Sequence, residues 1–276
     1  ANKAEGNSGT TTFTFTVSLD QAGVSSQTVD WAVAGSGTHA ANSADFGGAL
    51  PSGSVTFAAG ESSKIVNVTV SGDTAVEFDE QFIVTLSGTS AGLALGTSTA
   101  GGTIQNDDRS TVSIAALSAV KPEGNSGATS FTFTVSLDQA AVTGQTVDWT
   151  VTGAGIHAAN SGDFGGALPS GSLSFAAGES SKIVTLTVSG DTTVEFDEAF
   201  TIALSNVSAG LTLGTSSASG TIQNDDRSIA SISASTTNVI EGDAGTTPFT
   251  FKITLDQASV TSQSIDWSVI GSGSHP

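Results

Sequence analysis

Carboxylates are the residues of this sequence whose number and spacing could do chemistry. The 276 residues hold 26 acidic side chains against seven basic ones, a formal net charge of −19, and no cysteine. The acids recur at fixed positions, because the sequence repeats every 118 residues without insertion or deletion, as Glu5, Glu123 and Glu241 show. Carboxylate oxygens are ligands that calcium prefers, whereas transition metals favour histidine and cysteine. If the acids of one repeat meet in space, they predict a calcium site.

The second repeat is complete, and its acids lie in four segments that are far apart in the sequence. Glu123 opens the motif Glu-Gly-Asn-Ser-Gly, and Asp163 opens Asp-Phe-Gly-Gly. A third segment, residues 191–198, holds four acids, and Asp225 and Asp226 close the repeat. Whether these carboxylates meet depends on the elements that separate them.

Alternation of apolar and polar residues predicts seven strands in this repeat, and no window has helical periodicity. Gly-rich turns separate the strands, so the predicted fold is all-β: tandem seven-stranded antiparallel Greek-key sandwiches of the immunoglobulin type, without the usual disulfide. We label the predicted strands A to G. They are Thr111–Leu117, Ser130–Asp138, Gln145–Thr152, Gly171–Phe175, Lys182–Ser189, Ala199–Ser205 and Ser219–Asn224.

This strand order brings the four acidic segments to one end of the repeat. With strands alternating up and down, the A–B, C–D and E–F loops and the end of strand G share one pole. Only three acids of the repeat, Asp138, Asp148 and Glu179, then lie at the opposite pole. Carboxylates packed together repel one another, and a bound cation relieves this. Each segment taken alone is equally well a solvated loop or a turn, but their convergence favours calcium.

Five motifs in a fixed order resemble the Calx-β repeat, over nearly the whole chain. The resemblance implies an immunoglobulin-like sandwich and, in calcium-binding members, ions held between the A–B and C–D loops and the acidic end of strand G. The family includes regulatory domains of sodium–calcium exchangers and many large bacterial surface or secreted proteins. In the second repeat the motifs are Glu-Gly-Asn-Ser-Gly before Phe-Thr-Phe-Thr-Val, Asp-Phe, Phe-Ala-Ala-Gly-Glu-Ser-Ser-Lys, Gly-Asp-Thr-Thr-Val-Glu-Phe-Asp-Glu and Gly-Thr-Ile-Gln-Asn-Asp-Asp.

Carried over by position, the resemblance implies a set of calcium ligands in each repeat. Two features depart from strong binders: residues 34–38 contain no acid, and Gly47 and Gly48 follow Asp45. We therefore expect one ion per repeat, or two, at the affinities of extracellular modules, about 10⁻⁴–10⁻³ M. The candidates are Glu5, Asp45, Asp107 and Asp108 in the first repeat, Glu123, Asp163, Asp225 and Asp226 in the second, and Glu241 in the third. Acids of the E–F loop rank second and could instead brace that loop: Glu77, Asp79, Glu195 and Asp197.

Histidine and tryptophan offer weaker alternatives. One histidine per repeat lies in the C–D loop: His39, His157 and His275. A zinc or pH-sensing role is conceivable, but a structural role is favoured because no cysteine accompanies them. One tryptophan per repeat lies on strand C: Trp31, Trp149 and Trp267. These could line a sugar site, but alternation places them in the core. No enzyme is predicted, since the paired carboxylates lie on loop tips without an aromatic cleft.

The 118-residue period divides the chain into three units. They are a first repeat at 1–108 that lacks its first strand, a complete second repeat at 109–226 and the N-terminal part of a third at 227–276. Almost no linker separates them, because Asp107 and Asp108 end one repeat and Thr111 already belongs to the next. We expect an ion at the acidic end of one repeat to restrict bending toward the next.

The leading functional hypothesis is a calcium-stiffened structural repeat of an extracellular adhesin, stalk or fibre. One alternative is a module whose loops bind a surface glycan or protein, and another is an intracellular calcium sensor. A third is a filament subunit that pairs with identical subunits through its partial end repeats, although a piece of a longer array explains those ends more simply.

Composition narrows the partners and the location. Proteins bind nucleic acid and anionic membrane surfaces through basic residues, which are scarce here, so neither is an expected partner. No apolar run reaches the roughly 20 residues of a membrane span. No signal peptide is visible, and Ala1 is interpreted as a cut inside a longer protein. We expect a secreted or cell-surface protein whose partners are calcium and neighbouring repeats or identical subunits.

Overall fold

The computed structural model describes residues 1–272, and the regular structure in that range is almost entirely β-strand, which confirms the predicted class. The first repeat contains β1 (Asn2–Ala4), β2 (Thr10–Ser18), β3 (Gln27–Ser36), a 3₁₀ turn (Ala44–Phe46), β4 (Ser52–Phe57), β5 (Ser63–Ser71), β6 (Glu80–Ser87) and β7 (Thr99–Gln105). The second contains β8 (Ser110–Ser118), β9 (Val120–Pro122), β10 (Ala128–Leu137), β11 (Gln145–Ala154), β12 (Ser170–Phe175), β13 (Ser181–Ser189), β14 (Glu198–Ser205), β15 (Leu211–Leu213) and β16 (Ser217–Gln223). The third contains β17 (Ala230–Ala234) and β18 (Phe251–Leu255).

Two sheets face each other across one apolar core in the second repeat. The strand order is β13-β10-β8-β15 in one sheet and β12-β11-β14-β16-β9 in the other. In the first sheet Phe131 lies opposite Leu186 and Phe133 lies opposite Val184, and all four side chains are buried. Every second residue of these strands enters the core, as the alternation predicts. The result is the predicted immunoglobulin-like sandwich.

The predicted strand A, Thr111–Leu117, corresponds to β8, and the prediction missed a continuation of this strand, β9, that belongs to the opposite sheet. β8 pairs antiparallel with β10, and β9 then pairs in parallel with β16 in the opposite sheet. The small, buried Ala119 lies at the crossing. A further short strand, β15, pairs in parallel with β8 and buries Leu211. The purely antiparallel plan is therefore wrong in these places, because one divided strand covers an open edge of each sheet.

The first repeat repeats this arrangement from β9 onward. β1 pairs in parallel with β7, with Asn2 opposite Thr103, as β9 pairs with β16 in the second repeat. The first repeat thus holds the counterpart of β9, and the counterparts of β8 and β15 are not among the strands of residues 1–108. The remaining strands keep the order β1-β7-β6-β3-β4 in one sheet and β2-β5 in the other.

Glycine allows the last strand of each repeat to pass directly over a core phenylalanine. Gly220 on β16 lies opposite Phe200 on β14, and a Cβ there would come within 2.2 Å of the ring. Gly102 and Phe82 repeat this contact in the first repeat, at 2.4 Å. The glycine therefore keeps β16, and the acidic residues that follow it, close to the sandwich.

The third repeat has no closed core within residues 227–272. Its two strands pair with each other, but Ile232 and Phe251 remain 63% and 52% exposed, whereas the equivalent Ile114 and Phe133 are buried. The prediction of a third strand with Trp267 in the core is wrong, because residues 263–272 form no strand and Trp267 is 75% exposed. No opposing sheet lies over this face in the part of the chain that the structure describes.

Tryptophan in the two other repeats packs as predicted. Trp31 and Trp149 are half-buried and lie against the cores of their repeats. A side chain on Gly171 would come within 2.9 Å of Trp149, so the indole lies directly over the neighbouring strand.

Within residues 1–272, no helix has the length and apolar character needed to cross a bilayer.

Candidate metal centre

Carboxylates from four chain segments meet at one end of each complete sandwich, which we call the acidic pole. The segments are the turn after β9, the loop between β11 and β12, the loop between β13 and β14, and the end of β16. The acidic pole of the second repeat consists of Glu123, Asp163, Asp191, Glu195, Glu198, Asp225 and Asp226. That of the first repeat consists of Glu5, Asp45, Asp73, Glu77, Glu80, Asp107 and Asp108.

A glycine turn places Glu123 at the centre of its pole. Gly124 and Gly127 have φ values of +88° and +82°, which side chains rarely adopt. The Glu123 N–H donates to the Gln223 carbonyl at 3.2 Å, and the Glu123 carbonyl accepts from Thr129 Oγ1 at 2.7 Å. The backbone is thus fixed on both sides, and the side chain is only 4% exposed.

The aspartate of the C–D loop is held by a tight turn anchored in the core. In the first repeat Asp45 lies in the 3₁₀ turn, and its Oδ2 accepts the Asn42 N–H at 2.6 Å. The next residue, Phe46, packs edge-on against Phe82 with 5.5 Å between ring centroids. Asp163 makes the same contact with the Asn160 N–H. The core therefore fixes the position of this carboxylate.

The end of the last strand supplies a buried carboxylate oxygen without a partner. Asp107 Oδ1 accepts the Gly6 N–H at 3.0 Å, and Asp108 Oδ1 accepts from Asn7 Nδ2 at 2.5 Å. Asp108 is 5% exposed, yet its Oδ2 has no hydrogen-bond partner, and Asp226 Oδ2 is in the same state. Buried polar atoms are normally paired, and leaving one unpaired costs about 1–3 kcal/mol. These oxygens are therefore suited to a cation.

The E–F loop, which joins β5 to β6 in the first repeat and β13 to β14 in the second, contributes two kinds of acid. Asp79 Oδ1 accepts the Asn106 N–H at 3.1 Å and so ties the loop to the end of β7. Asp197 does the same with Asn224. Glu77 and Glu80 instead direct carboxylates toward Asp45. Of the second-rank candidates, the structure thus brings the glutamates into the acidic clusters and shows the aspartates bracing the loop.

The carboxylates group into two clusters of three at each pole. Within a cluster, one oxygen from each residue lies within 4.8 Å of the others, a spacing that a shared cation can bridge. The clusters are Glu5 with Asp107 and Asp108, and Asp45 with Glu77 and Glu80; in the second repeat, Glu123 with Asp225 and Asp226, and Asp163 with Glu195 and Glu198.

Burial and crowding raise the pKa of several of these acids. Burial, and then the charges of Asp191 and Glu195, raise the pKa of Glu123 to about 7. Burial likewise raises the pKa of Glu198 to about 7, with a hydrogen bond to Asp163 as the next cause. Near neutral pH the metal-free pole therefore carries bound protons that a divalent cation would displace.

Sequence reasoning missed Glu80 and Glu198 as ligand candidates. The signal was present, since Phe200, Ile202 and Leu204 mark the inward face of β14 and Glu198 shares it by the two-residue period. An inward-facing acid at the end of a core strand is unusual and points to a site. Glu198 Oε2 is buried without a hydrogen-bond partner, like the aspartate oxygens.

Two further predictions have different outcomes. Glu241 is exposed and joins no acidic cluster within residues 1–272, since the strands that build the pole have no counterpart in that repeat. His39 stacks on Phe78 with 3.9 Å between ring centroids, and His157 stacks on Phe196 in the same way. This contact joins the C–D and E–F loops and supports the structural role. His275 lies outside the described residues.

The donor set fits calcium rather than a transition metal. Every clustered ligand candidate is a carboxylate, and a hard cation with oxygen ligands matches that set. The family model of the Calx-beta domain matches residues 2–115 and 105–227. The chain belongs to the Calx-beta domain family. Calx-beta domains bind calcium, so the chain is a tandem array of calcium-binding repeats, as predicted from the sequence.

Several solved structures align with this Calx-beta chain. The structure of CBD12 from CALX1.2 has 18% identity, covers 79% of this chain and 95% of its own, and has a TM-score of 0.36. The calcium binding domain CBD12 of CALX1.1 has 19% identity, coverages of 81% and 96%, and a TM-score of 0.37. The apo-form Calx CBD1 domain has 23% identity, coverages of 43% and 100%, and a TM-score of 0.36. No curated protein matches the sequence.

Proposed function

We propose that this chain is a calcium-stiffened structural repeat of an extracellular adhesin, stalk or fibre. The observation that carries the proposal is the position of Asp108 and Asp226. Each is a buried acid with an unpaired oxygen, at the point where one repeat ends and the next begins. Strand β8 starts at Ser110, only two residues after Asp108. An ion bound to Asp108 therefore holds the chain at its exit from the first repeat.

The acidic pole explains how an ion would stiffen the array. Asp107 and Asp108 bond to Gly6 and Asn7, so the end of the last strand is tied to the A–B turn. Without a cation, the clustered negative charges repel one another and loosen this tie. A bound calcium supplies the opposing charge, and Glu5, Asp107 and Asp108 would hold it from both segments.

The proposed ligands extend the predicted set. They are the predicted Glu5, Asp45, Glu77, Asp107 and Asp108 of the first repeat and Glu123, Asp163, Glu195, Asp225 and Asp226 of the second, together with Glu80 and Glu198. Each repeat then offers two clusters, one for each of at most two ions. With only three carboxylates per cluster, we expect affinities of about 10⁻⁴–10⁻³ M, which suit calcium outside cells.

The expected affinity is consistent with a secreted or cell-surface location, which we propose for this chain. Sites of this strength fill at the millimolar calcium of extracellular fluids and stay empty in a cytosol. Recognition of a glycan or protein by the loops, and pairing with identical subunits, stay predictions, since no contact within residues 1–272 favours them.

The alignment of neighbouring repeats tests the stalk proposal. Residual dipolar couplings measured for the first and second repeats report their mutual order with calcium and with chelator. We expect one common alignment in calcium and two less ordered ones in chelator. The double substitution Asp107→Asn with Asp108→Asn should abolish the calcium effect at the first junction, while Glu61→Gln, at the opposite end of the sandwich, should retain it. Equal order with and without calcium would contradict the proposal.

A further inference from the structure

At each junction, a single glutamine side chain makes the hydrogen bonds that join neighbouring repeats. Gln139 of the second repeat reaches the E–F loop of the first, where its Nε2 donates to the Thr74 carbonyl at 2.8 Å and its Oε1 accepts the Val76 N–H at 3.1 Å. Within residues 1–272, these are the only hydrogen bonds that join the first repeat to the second. No ion pair in that range crosses the junction either.

The second junction has the same contact, which makes an accident of packing a poor explanation. Gln257 of the third repeat donates to the Thr192 carbonyl at 2.6 Å and accepts the Val194 N–H at 3.2 Å. Again no other hydrogen bond in the described chain joins the two repeats. The amide matches one backbone acceptor and one backbone donor, which neither a carboxylate nor an ammonium can do.

The glutamine is itself fixed to the start of its own repeat. Asp138, the preceding residue, accepts with its Oδ1 both the Gln139 N–H at 2.8 Å and the Thr111 N–H at 2.7 Å. Ser110 Oγ donates to the Gln139 carbonyl at 3.1 Å, and Ser110 is 1% exposed. Gln139 therefore links the start of the second repeat to the E–F loop of the first repeat.

The E–F loop that Gln139 contacts carries a ligand candidate of the first repeat. Glu77 follows Val76 directly, and its own N–H donates to Asn106 Oδ1 at 3.4 Å. Asn106 in turn donates its N–H to Asp79. Glu77 thus lies between two anchors, one from the next repeat and one from its own last strand. Loss of the outer anchor frees the loop on the side of Val76.

We propose that Gln139 and Gln257 are positioning residues through which each repeat orders the calcium-binding loop of the repeat before it. This inference rests on the proposed function and adds to it that the site of one repeat is complete only when the next repeat is docked. Linkage is reciprocal, so calcium in the first repeat must equally strengthen the docking of the second.

The chain contains its own matched control. Gln21 occupies the equivalent position of the first repeat after Asp20, and its side chain makes no hydrogen bond within the described residues. The substitution Gln21→Ala therefore removes the same atoms without touching a junction. Gln139→Glu keeps the acceptor, loses the donor and adds a negative charge beside the loop.

The experiment uses the 276-residue chain with Asp163→Asn, Asp225→Asn and Asp226→Asn, which removes acids from both clusters of the second repeat, so that calcium titration by calorimetry reports the first repeat. We expect Gln139→Ala to weaken calcium binding there about three- to tenfold, the effect of one or two lost hydrogen bonds, and Gln139→Glu to weaken it more. Gln21→Ala should leave the affinity unchanged. In the complementary chain with Asp45→Asn, Asp107→Asn and Asp108→Asn, Gln139→Ala should not alter calcium binding by the second repeat, whereas Gln257→Ala should.

Residual dipolar couplings at saturating calcium supply a separate readout, because the wild-type repeats then share one alignment. Gln139→Ala should uncouple the alignments of the first two repeats, and unchanged thermal midpoints would show that both repeats remain folded. An unchanged calcium affinity in Gln139→Ala overturns the inference, even if the wild-type chain binds calcium as proposed. A wild-type chain that binds no calcium overturns the proposed function, and the coupling to calcium with it.

Discussion

Two glutamates of the second repeat, at opposite ends of one sandwich, show how position decides the chemistry of a side chain. Glu123 lies at the acidic pole, where burial and then the charges of Asp191 and Glu195 raise its pKa to about 7. Glu179 lies at the other end, where hydrogen bonds from Lys182 and then from the Ala176 N–H hold its pKa below the usual value. Ionised Glu123 is therefore unfavourable where it lies, whereas the Glu179 carboxylate is solvated and paired with a lysine.

The comparison separates acids that serve solubility from acids that need a ligand. Glu179 has a lysine partner at 2.7 Å and remains substantially exposed, so it is stable as it stands. Glu123 is 4% exposed and surrounded by other acids, so it needs a proton or a cation. A fold retains such a strained cluster where a ligand relieves it. The calcium site that we propose at the acidic pole would therefore follow from the placement of the acids, not from the acid content of the chain.

The strongest way to break this comparison is to remove acids from the acidic pole of the second repeat. Asp225→Asn with Asp226→Asn should lower calcium affinity there by at least about tenfold, since even residues outside the ligand shell typically cost 10- to 100-fold. Isothermal titration uses a chain whose first repeat carries Asp45→Asn, Asp107→Asn and Asp108→Asn, which removes acids from both of its clusters. Retained affinity in the double variant would refute the ligand assignment.

Calcium should also change stability, and through the acidic pole alone. At 100 times its dissociation constant, calcium adds about 2.7 kcal/mol to a folded repeat, which is roughly 10 °C in the thermal midpoint of a domain of this size. Melting of the chain with calcium, magnesium and chelator measures this. We expect a smaller shift with magnesium, which gives up its waters reluctantly. Equal midpoints in all three would remove the comparison's basis.

The stability of the metal-free chain should depend on pH through the acidic pole. The pKa of Glu123 and of Glu198 is about 7 in the folded chain, above the ordinary glutamate value, so the folded state binds more protons between about pH 4.5 and pH 7. The stability of the metal-free chain should therefore fall as pH rises through 7. Thermal midpoints in chelator between pH 5 and pH 8 measure this. Glu123→Gln with Glu198→Gln should flatten the curve when Glu5→Gln and Glu80→Gln are added, because the pKa of those two acids of the first repeat is likewise raised to about 7. A midpoint that rises over this range would contradict it.

A moderate effect is expected from the amide that orients one of the buried aspartates. Asn125 Nδ2 donates to Asp226 Oδ1 at 2.5 Å and leaves Oδ2 free for a cation. Asn125→Ala should weaken calcium binding about tenfold, as loss of an orienting partner does. Calcium titration of the second repeat checks this against Asn206→Gly, which removes a side chain that bonds to Asp148 away from the pole and tolerates the positive φ of 46° at this position. Similar losses in both variants would point to a general effect on folding.

The smallest effect should come from the opposite end. Glu179→Gln removes the exposed pair with Lys182, and such pairs contribute little. We expect the midpoint to change by less than about 2 °C, as for ordinary surface substitutions, with no change in calcium affinity. A large loss of calcium binding here would mean that acid content, rather than placement, governs the ion.

Much of the strand plan could be predicted because alternation in this sequence is regular. Phe131, Phe133 and Val135 are buried as the two-residue period requires. The division of strand A could not be predicted, since Val112 and Ile114 alternate without a visible break before Val120. Which sheet a short segment joins depends on the open edges offered by β10 and β16, and those edges exist only after the sandwich has formed.

For the candidate site, the sequence alone identified the pole and part of its membership. The period of 118 residues, the acids and their loops were enough to predict that Glu123, Asp163 and Asp226 meet. The roles within the E–F loop were beyond it, because Asp197 and Glu198 are adjacent and equally acidic. Only the packed structure shows that Asp197 accepts a backbone hydrogen bond while Glu198 is turned inward beside Asp163.

Residue type and spacing thus determined the class of fold and the kind of ion, because strand alternation acts over a few residues and oxygen ligands favour a hard cation wherever they lie in the chain. The tertiary structure decided which carboxylates lose contact with water, which oxygens stay unpaired and which glutamine spans each junction. Burial and contact between distant segments depend on the assembled sandwich and on its neighbour, and those distances are not written in any single stretch of sequence.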